Sequence, residues 1–184
     1  MSVGAATRRA GERLGAVTEE VSRFKLFLAR LVVVLCVAFV VAGLAQYGFS
    51  AEVRERIWQN LLDRAGGPMT FRFLLQPIMA TIAAFLDGVK DARTGRAPFL
   101  ETVLTNPAKR AGRLQEAVIA TARIILLGLI MDTIYQFIEF KTFHPAEAVI
   151  ITLLLAFVPY VALRGILSRI ARWWIGRQSA GASR

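Results

Sequence analysis

The chain has one cysteine and one histidine among its 184 residues, which excludes most thiol and metal chemistry. Cys36 has no second thiol with which to form an intrachain disulfide or hold a metal, so it is interpreted as an apolar filler. His144 is followed by Glu147, but two ligands at a turn do not make a metal site. Glycine-rich phosphate loops and nucleophile elbows are also lacking. The sequence therefore predicts no enzyme, no metal and no cofactor.

Charge is missing from long stretches of the chain. Residues 31–51 contain no charged side chain, and as a helix they extend about 31 Å, enough to cross the hydrocarbon of a bilayer. The predicted fold is all-α, a polytopic transmembrane helical bundle of about four spans with amphipathic interfacial helices. It forms a single integral membrane domain, residues 1–184, whose ends at 1–18 and 179–184 are expected to be disordered. The predicted spans are residues 28–48, 68–88, 117–139 and 146–164.

Acidic residues are few, and the basic residues are segregated. The chain has 23 Lys and Arg against 13 Asp and Glu, a formal net charge of +10. Most of the basic residues lie before the first predicted span, between the second and third, and after the fourth. By the positive-inside rule these segments are cytoplasmic. We therefore expect a multi-pass protein of a bacterial cytoplasmic (inner) membrane with both termini inside.

Membrane binding accounts for the basic excess, so no nucleic-acid partner is expected.

Two segments beside the spans have amphipathic patterns. Residues 50–67 carry apolar side chains at every fourth position from Val53, which is typical of a helix in the membrane interface or packed on the ends of the spans. After residue 163, apolar positions recur at helical spacing among arginines. This helix is expected to bind anionic lipid headgroups on the cytoplasmic side, with an acidic partner as the alternative. The expected headgroup contacts are Arg164, Arg169, Arg172, Trp173 and Trp174.

Polar side chains also recur at helical spacing inside the second and third predicted spans. In the second span small residues follow at the same spacing, which allows two helices to approach closely. In the third span the polar positions share one face. An unpaired charge near the bilayer centre costs roughly 2.5–3.5 kcal/mol, so these groups are expected to be buried against partners. The predicted intramembrane polar seam consists of Arg72, Gln76, Asp87, Arg123, Asp132, Gln136 and Glu139.

An antiparallel hairpin of these two spans predicts which polar groups meet. Gln76 comes level with Asp132, and Arg72 comes level with Gln136 or Glu139. This hairpin is the expected organising unit of the protein.

The remaining charges of the seam lie nearer the cytoplasmic end. Asp87 is expected within about a turn of Arg123. Arg123 lies on the opposite side of its helix from Asp132, and can instead extend toward the cytoplasmic surface.

The loop between these spans has its own helix signals. A short helix is predicted at residues 99–104. Asn106 followed by Pro107 then indicates the start of a helix that continues into the third span. Two further prolines, Pro77 and Pro159, lie inside predicted spans and are expected to bend them.

Asp132 has two interpretations. In the first, it joins the seam that holds the helices together, and the protein has a structural, accessory or scaffold role in a membrane assembly. In the second, it is a proton or cation site in a small oligomeric transporter or channel. We favour the first; an enzyme acting on lipid through Asp132 and Arg123 is a third and weaker alternative. The expected partners are membrane lipids, a second copy of the chain or another membrane protein.

Two stretches, residues 71–98 and 123–136, resemble an uncharacterised family of small bacterial integral membrane proteins. The likeness covers about half of the chain, and no known activity attaches to that family. It implies a membrane location and adds no function. The residues of the first stretch that carry the likeness are Arg72, Gln76, Pro77, Asp87, Gly88, Asp91, Ala92, Arg93, Gly95 and Arg96.

The charge distribution makes a prediction about topology. Cysteines placed singly at Glu55 and His144 should react with an impermeant maleimide added to intact cells, because the sequence puts both positions outside. A cysteine at Gly95 or at the C-terminus should react only after the membrane is permeabilised. Labelling of the Gly95 position in intact cells would overturn the predicted orientation.

Overall fold

All of the regular structure in the described part of the chain is helical. The computed structural model describes residues 3–48, 55, 58, 59 and 70–182. The predicted all-α class is therefore confirmed, whereas the amphipathic helix predicted at residues 50–67 lies almost entirely outside the described residues. The helices are α1 (Val3–Tyr47), α2 (Phe71–Arg93), α3 (Phe99–Thr105), α4 (Pro107–Tyr135), α5 (Pro145–Thr152) and α6 (Val158–Ala182). Single π-helical turns extend α4 over Gln136–Phe140 and join α5 to α6 over Leu153–Phe157.

Four helical segments are long and apolar enough to cross a membrane, as expected of a multi-pass membrane protein: Glu19–Tyr47, Phe71–Arg93, Pro107–Phe140 and Pro145–Arg177. Each of them is longer than the predicted span to which it corresponds. Within the ends that were expected to be disordered, residues 3–18 belong to α1 and residues 179–182 belong to α6. The Ala, Arg, Leu and Glu residues near the N-terminus favour helix, so α1 continues outward from the span without a break.

Local sequence signals fix the ends of several helices. The predicted short loop helix is α3, and Pro107 is the first residue of α4. The Asn106 side chain accepts a hydrogen bond from the Lys109 backbone N–H at 3.2 Å, which caps the exposed donors at the start of α4. A π-helical turn lies directly before Pro159. A proline ring clashes with the carbonyl four residues earlier, and a wider turn relieves that clash.

The distribution of polar and apolar side chains is the reverse of a soluble protein's. Leu74 is 68% exposed and Val34 is 63% exposed, while Arg72, Gln76 and Glu147 are each 2% exposed. Charged and amide side chains rarely lie inside a protein unless they are paired, and large apolar patches rarely face water. This arrangement suits a bundle surrounded by lipid.

The expected hairpin of α2 and α4 is not the main packing unit. α2 packs chiefly along α6, and the two helices run parallel, since Asp87 contacts Tyr160 and Asp91 contacts Arg164. The small residues predicted to allow close contact do so here: a Cβ atom on Gly88 would lie 3.1 Å from the Ser168 backbone nitrogen and 3.2 Å from the Arg164 carbonyl oxygen. Small-residue spacing predicts that a helix has a close neighbour but does not identify it, so the sequence pattern could not distinguish α4 from α6.

The contact between α1 and α5 depends on another glycine. A Cβ atom on Gly43 would lie 2.4 Å from the Ala146 Cβ atom and 2.9 Å from its backbone nitrogen. The two helices can therefore approach this closely only with glycine at position 43. Contacts with α4 and α5 hold α1, whose opposite face is apolar and exposed.

Gly43→Ala should lower the free energy of unfolding by about 1–3 kcal/mol, because the added methyl overlaps Ala146. Gly112→Ala in α4 is the matched control, since nothing lies within 4 Å of its Cβ position. It should leave stability unchanged or raise it by up to about 1 kcal/mol, the helix-propensity gain of alanine over glycine. Unfolding in detergent, followed by helical circular dichroism, measures both. Equal stability of the two variants would contradict the close α1–α5 contact.

Candidate functional site

Two groups of polar side chains lie inside the bundle, one toward each end of the spans. The first, called the Asp132 cluster, contains Arg72 from the first turn of α2, Asp132 and Gln136 near the end of α4, and the backbone of His144. An Arg72 Nη atom donates to Asp132 Oδ1 at 2.5 Å. Asp132 Oδ2 accepts from Gln136 Nε2 at 2.6 Å. Both carboxylate oxygens of Asp132 are thus hydrogen-bonded, and the residue is fully buried.

The Gln136 side chain also fixes the turn before α5. Its Oε1 accepts from the His144 backbone N–H at 2.6 Å, and its Nε2 donates to the His144 carbonyl at 3.2 Å. The Arg72 guanidinium lies over the Tyr135 ring at 5.2 Å, which adds a cation–π contact in a low-dielectric setting. The cluster therefore joins α2, α4 and the start of α5.

Two other residues of the predicted seam differ in their exposure. Gln76 is buried one turn from Arg72 beside Gly128, where a Cβ atom would lie 2.9 Å from Gln76 Nε2. The charged partner of Asp132 is Arg72. Glu139 is exposed because the π-helical turn from Gln136 winds more widely than an α-helix and rotates position 139 off the shared face.

The second group, called the Asp91 cluster, joins α2, α4 and α6 at the opposite end. Arg113 Nη1 donates to Asp91 Oδ1 at 3.0 Å, and Arg164 Nε donates to Asp91 Oδ2 at 2.9 Å. Arg164 Nη1 donates to the Tyr160 hydroxyl at 2.9 Å, which in turn donates to Asp87 Oδ2 at 2.6 Å. Three helices are thus linked by alternating acidic and basic groups.

Glu116 connects this buried network to its surroundings. Its carboxylate accepts from Arg113 at 3.2 Å and Arg164 at 3.2 Å, and from Arg96 at 3.1 Å. The Glu116 side chain is 41% exposed, whereas Asp91 is 1% exposed. The cluster therefore has a dry interior and a solvated edge.

An aromatic ring packs against the arginines of the Asp91 cluster. Phe99, the first residue of α3, is fully buried, and the Arg164 guanidinium lies 4.8 Å from its ring centroid. Arg113 also donates to the Ala97 carbonyl at 2.7 Å. The loop before α3 and the first turn of α3 are thus held against the spans by the same arginines that bind Asp91.

Asp87, Arg123 and Arg164 lie toward the same end of the bundle, and one expectation about them needs correction. Asp87 accepts a hydrogen bond from Tyr160. Arg123 is exposed, and it borders an open crevice of about 590 Å³ that also contains Asp87 and Lys25. Arg164, expected at lipid headgroups, is 3% exposed and bound to Asp91. A basic amphipathic pattern predicts which face of a helix an arginine occupies. It does not predict whether that arginine binds a lipid headgroup or a buried carboxylate.

The other residues expected at headgroups lie on the surface of α6. Arg169 is exposed and 4.0 Å from Glu101. Trp173 and Trp174 are 57% and 61% exposed. Arg172 is half-buried beside the Ser168 carbonyl.

Four members of the Asp91 cluster were not predicted from the sequence as site residues: Asp91, Arg113, Glu116 and Tyr160. They could have been recognised from pairs of polar residues three or four positions apart, because such residues share a helix face. Asp87 and Asp91 form one such pair on α2, and Tyr160 and Arg164 form another on α6. The opposite charges of the two pairs would have suggested that α2 faces α6.

The chemistry of both clusters is that of charge pairing. Among the residues that the structure describes, no group of three His, Cys, Asp or Glu side chains could hold a metal ion. The buried carboxylates of both clusters accept hydrogen bonds from arginine, so neither is an uncommitted base. No protein-family model, curated protein or solved structure matches this chain.

Removing one partner of the buried Arg72–Asp132 pair should be costly. Asp132→Leu should lower the free energy of unfolding by about 3 kcal/mol, because it leaves the Arg72 guanidinium buried without a counter-charge. Asp132→Asn, which keeps an acceptor oxygen, should cost less. The double variant Arg72→Met/Asp132→Leu should recover much of the loss.

A double-mutant cycle of reversible unfolding in detergent provides the measurement. Arg72→Met alone is the fourth corner of the cycle. If the losses of the two single variants simply add in the double variant, the pair does not stabilise the bundle through its own contact.

Proposed function

We propose that this chain is a structural, accessory component of a membrane assembly in a bacterial cytoplasmic membrane, with both termini in the cytoplasm. The observation that carries the proposal is the pairing of the buried charges in both clusters. Asp132 is bound by Arg72 and Gln136, and Asp91 by Arg113 and Arg164. Groups used in this way stabilise helix contacts and are not set up to exchange a proton or an ion with solvent.

The orientation rests on the distribution of Lys and Arg. Basic residues are concentrated in the segment before the first span, in the α2–α4 connection and after the fourth span, which favours a cytoplasmic location for all three. In this orientation the Asp91 cluster lies at the cytoplasmic end of the bundle. Its solvated edge at Glu116 and the exposed Arg169 and Trp173 then form the surface offered to lipid headgroups and to partner subunits.

The proposal is tested by measuring flux and assembly on the same purified protein. Liposomes containing the wild-type chain should conduct protons, Na⁺ and K⁺ no faster than protein-free liposomes. Chemical crosslinking in cells, followed by gentle-detergent purification, should recover the same membrane subunits in a constant ratio. Asp132→Asn is the matched variant, since it keeps the size of the side chain and removes its charge; it should leave both results unchanged.

The alternative, a small oligomeric transporter or channel, makes the opposite prediction at one residue. Flux that is present in the wild type and lost in Asp132→Asn, with thermal stability retained, would establish an ion site and refute the accessory role. Recovery of the chain only as a monomer or as copies of itself would also count against it.

A further inference from the structure

An open groove runs between α2 and α6 on the lipid-facing side of the bundle. Its volume is about 920 Å³. The backbones of the two helices approach each other at Gly88, next to Leu167, which lines the groove. One end is lined by Phe85, Leu86 and Leu167, and the other by Lys90, Arg93 and Trp174. The groove therefore changes from apolar to cationic along its length.

The two cations of the groove differ from three arginines at the same end of the bundle. Arg96, Arg113 and Arg164 each lie within hydrogen-bond distance of a carboxylate. Lys90 and Arg93 are exposed, and no carboxylate among the described side chains is within 4.0 Å of either. The groove lining contains no acidic residue, although Lys90 also borders the crevice that holds Asp87. Two adjacent positive charges are thus left for an external anion.

The order of these groups along the membrane normal matches one kind of ligand. α2 and α6 are parallel, and α6 continues past the level of Arg93, the last residue of α2. The apolar end of the groove therefore lies deeper in the membrane than the cationic end. Trp174 lies beside the cations, and tryptophan favours the level of the headgroups. A free phosphate would leave the apolar part of the groove unused, and a zwitterionic lipid would bring a positive charge together with its phosphate.

We propose that this groove binds one anionic phospholipid, with its phosphate at Lys90 and Arg93 and an acyl chain along Phe85, Leu86 and Leu167. Lysine and arginine both bind phosphate, and basic residues near the membrane surface attract anionic headgroups. The proposal requires that the bundle spans a membrane. It does not depend on the accessory role, so the failure of either proposal leaves the other testable.

Two neighbouring tryptophans provide the probe. Trp174 lines the groove and Trp173 does not, although both are exposed to a similar extent. Each is retained singly in the full chain, with the other tryptophans replaced by Phe. The protein is reconstituted in equimolar phosphatidylglycerol and phosphatidylcholine, with bromine as a quencher on only one of the two lipids. Brominated phosphatidylglycerol should quench Trp174 more strongly than brominated phosphatidylcholine does, and Trp173 should show a smaller preference.

Charge variants test whether the preference arises in the groove. Lys90→Gln/Arg93→Gln should lower the preference at Trp174 by up to about fivefold per charge removed. Lys109→Gln/Arg110→Gln is the matched control, because it removes the same charge from exposed positions of α4 outside the groove; it should leave the preference in place. If the two double variants lose the same amount of lipid preference, the preference comes from general attraction to the surface, and the proposal is wrong. Equal quenching of wild-type Trp174 by the two lipids would also overturn it.

A third variant tests the apolar part of the groove separately. Ala171→Phe fills the groove without changing charge and should also abolish the preference. Retention of the preference in this variant, with its thermal stability unchanged, would contradict an acyl chain in the groove. Loss of the wild-type preference on adding inorganic phosphate at matched ionic strength would instead indicate a free-phosphate site.

Discussion

A charge inside a bilayer must be neutralised by another part of the same protein, and the Arg72–Asp132 pair meets this constraint. Each residue alone would make its helix costly to insert. Together they join the start of α2 to the end of α4, and Gln136 extends the connection to the turn before α5. At the other end, Asp91 performs the same role between α4 and α6 through Arg113 and Arg164. The positions of the helices therefore follow from which buried charges must be paired.

Between the two clusters the bundle is held by close packing. The buried faces there are rich in alanine, including Ala80, Ala84 and Ala156, which are fully buried. Lipid offers apolar side chains much the same environment as a protein interior, so contact between small residues and polar bonds replace the hydrophobic effect as the source of helix association. The bundle thus has small residues in its middle and a polar cluster toward each end.

The helices could be predicted from the sequence much better than their neighbours. Apolar runs identified the spans, and the Asn106–Pro107 signal located the start of α4, because both are local properties. The partner of a buried charge is not local: Asp91 and Arg164 are 73 residues apart. Periodicity placed Asp132 and Gln136 on a buried face but wrongly included Glu139, since an α-helical repeat does not anticipate a π-helical turn. Arg164 was misplaced because its pattern fits a headgroup and a buried acid equally well.

The parallel contact between α2 and α6 has a consequence for biosynthesis. Asp91 is made 73 residues before Arg164, a delay of about 4–15 s at a synthesis rate of roughly 5–20 residues per second. During that time α2 lacks the helix against which it chiefly packs. It is also the least apolar of the candidate spans, with a mean hydropathy of 1.3. The second span thus depends for its final place in the membrane on the fourth, which is translated later.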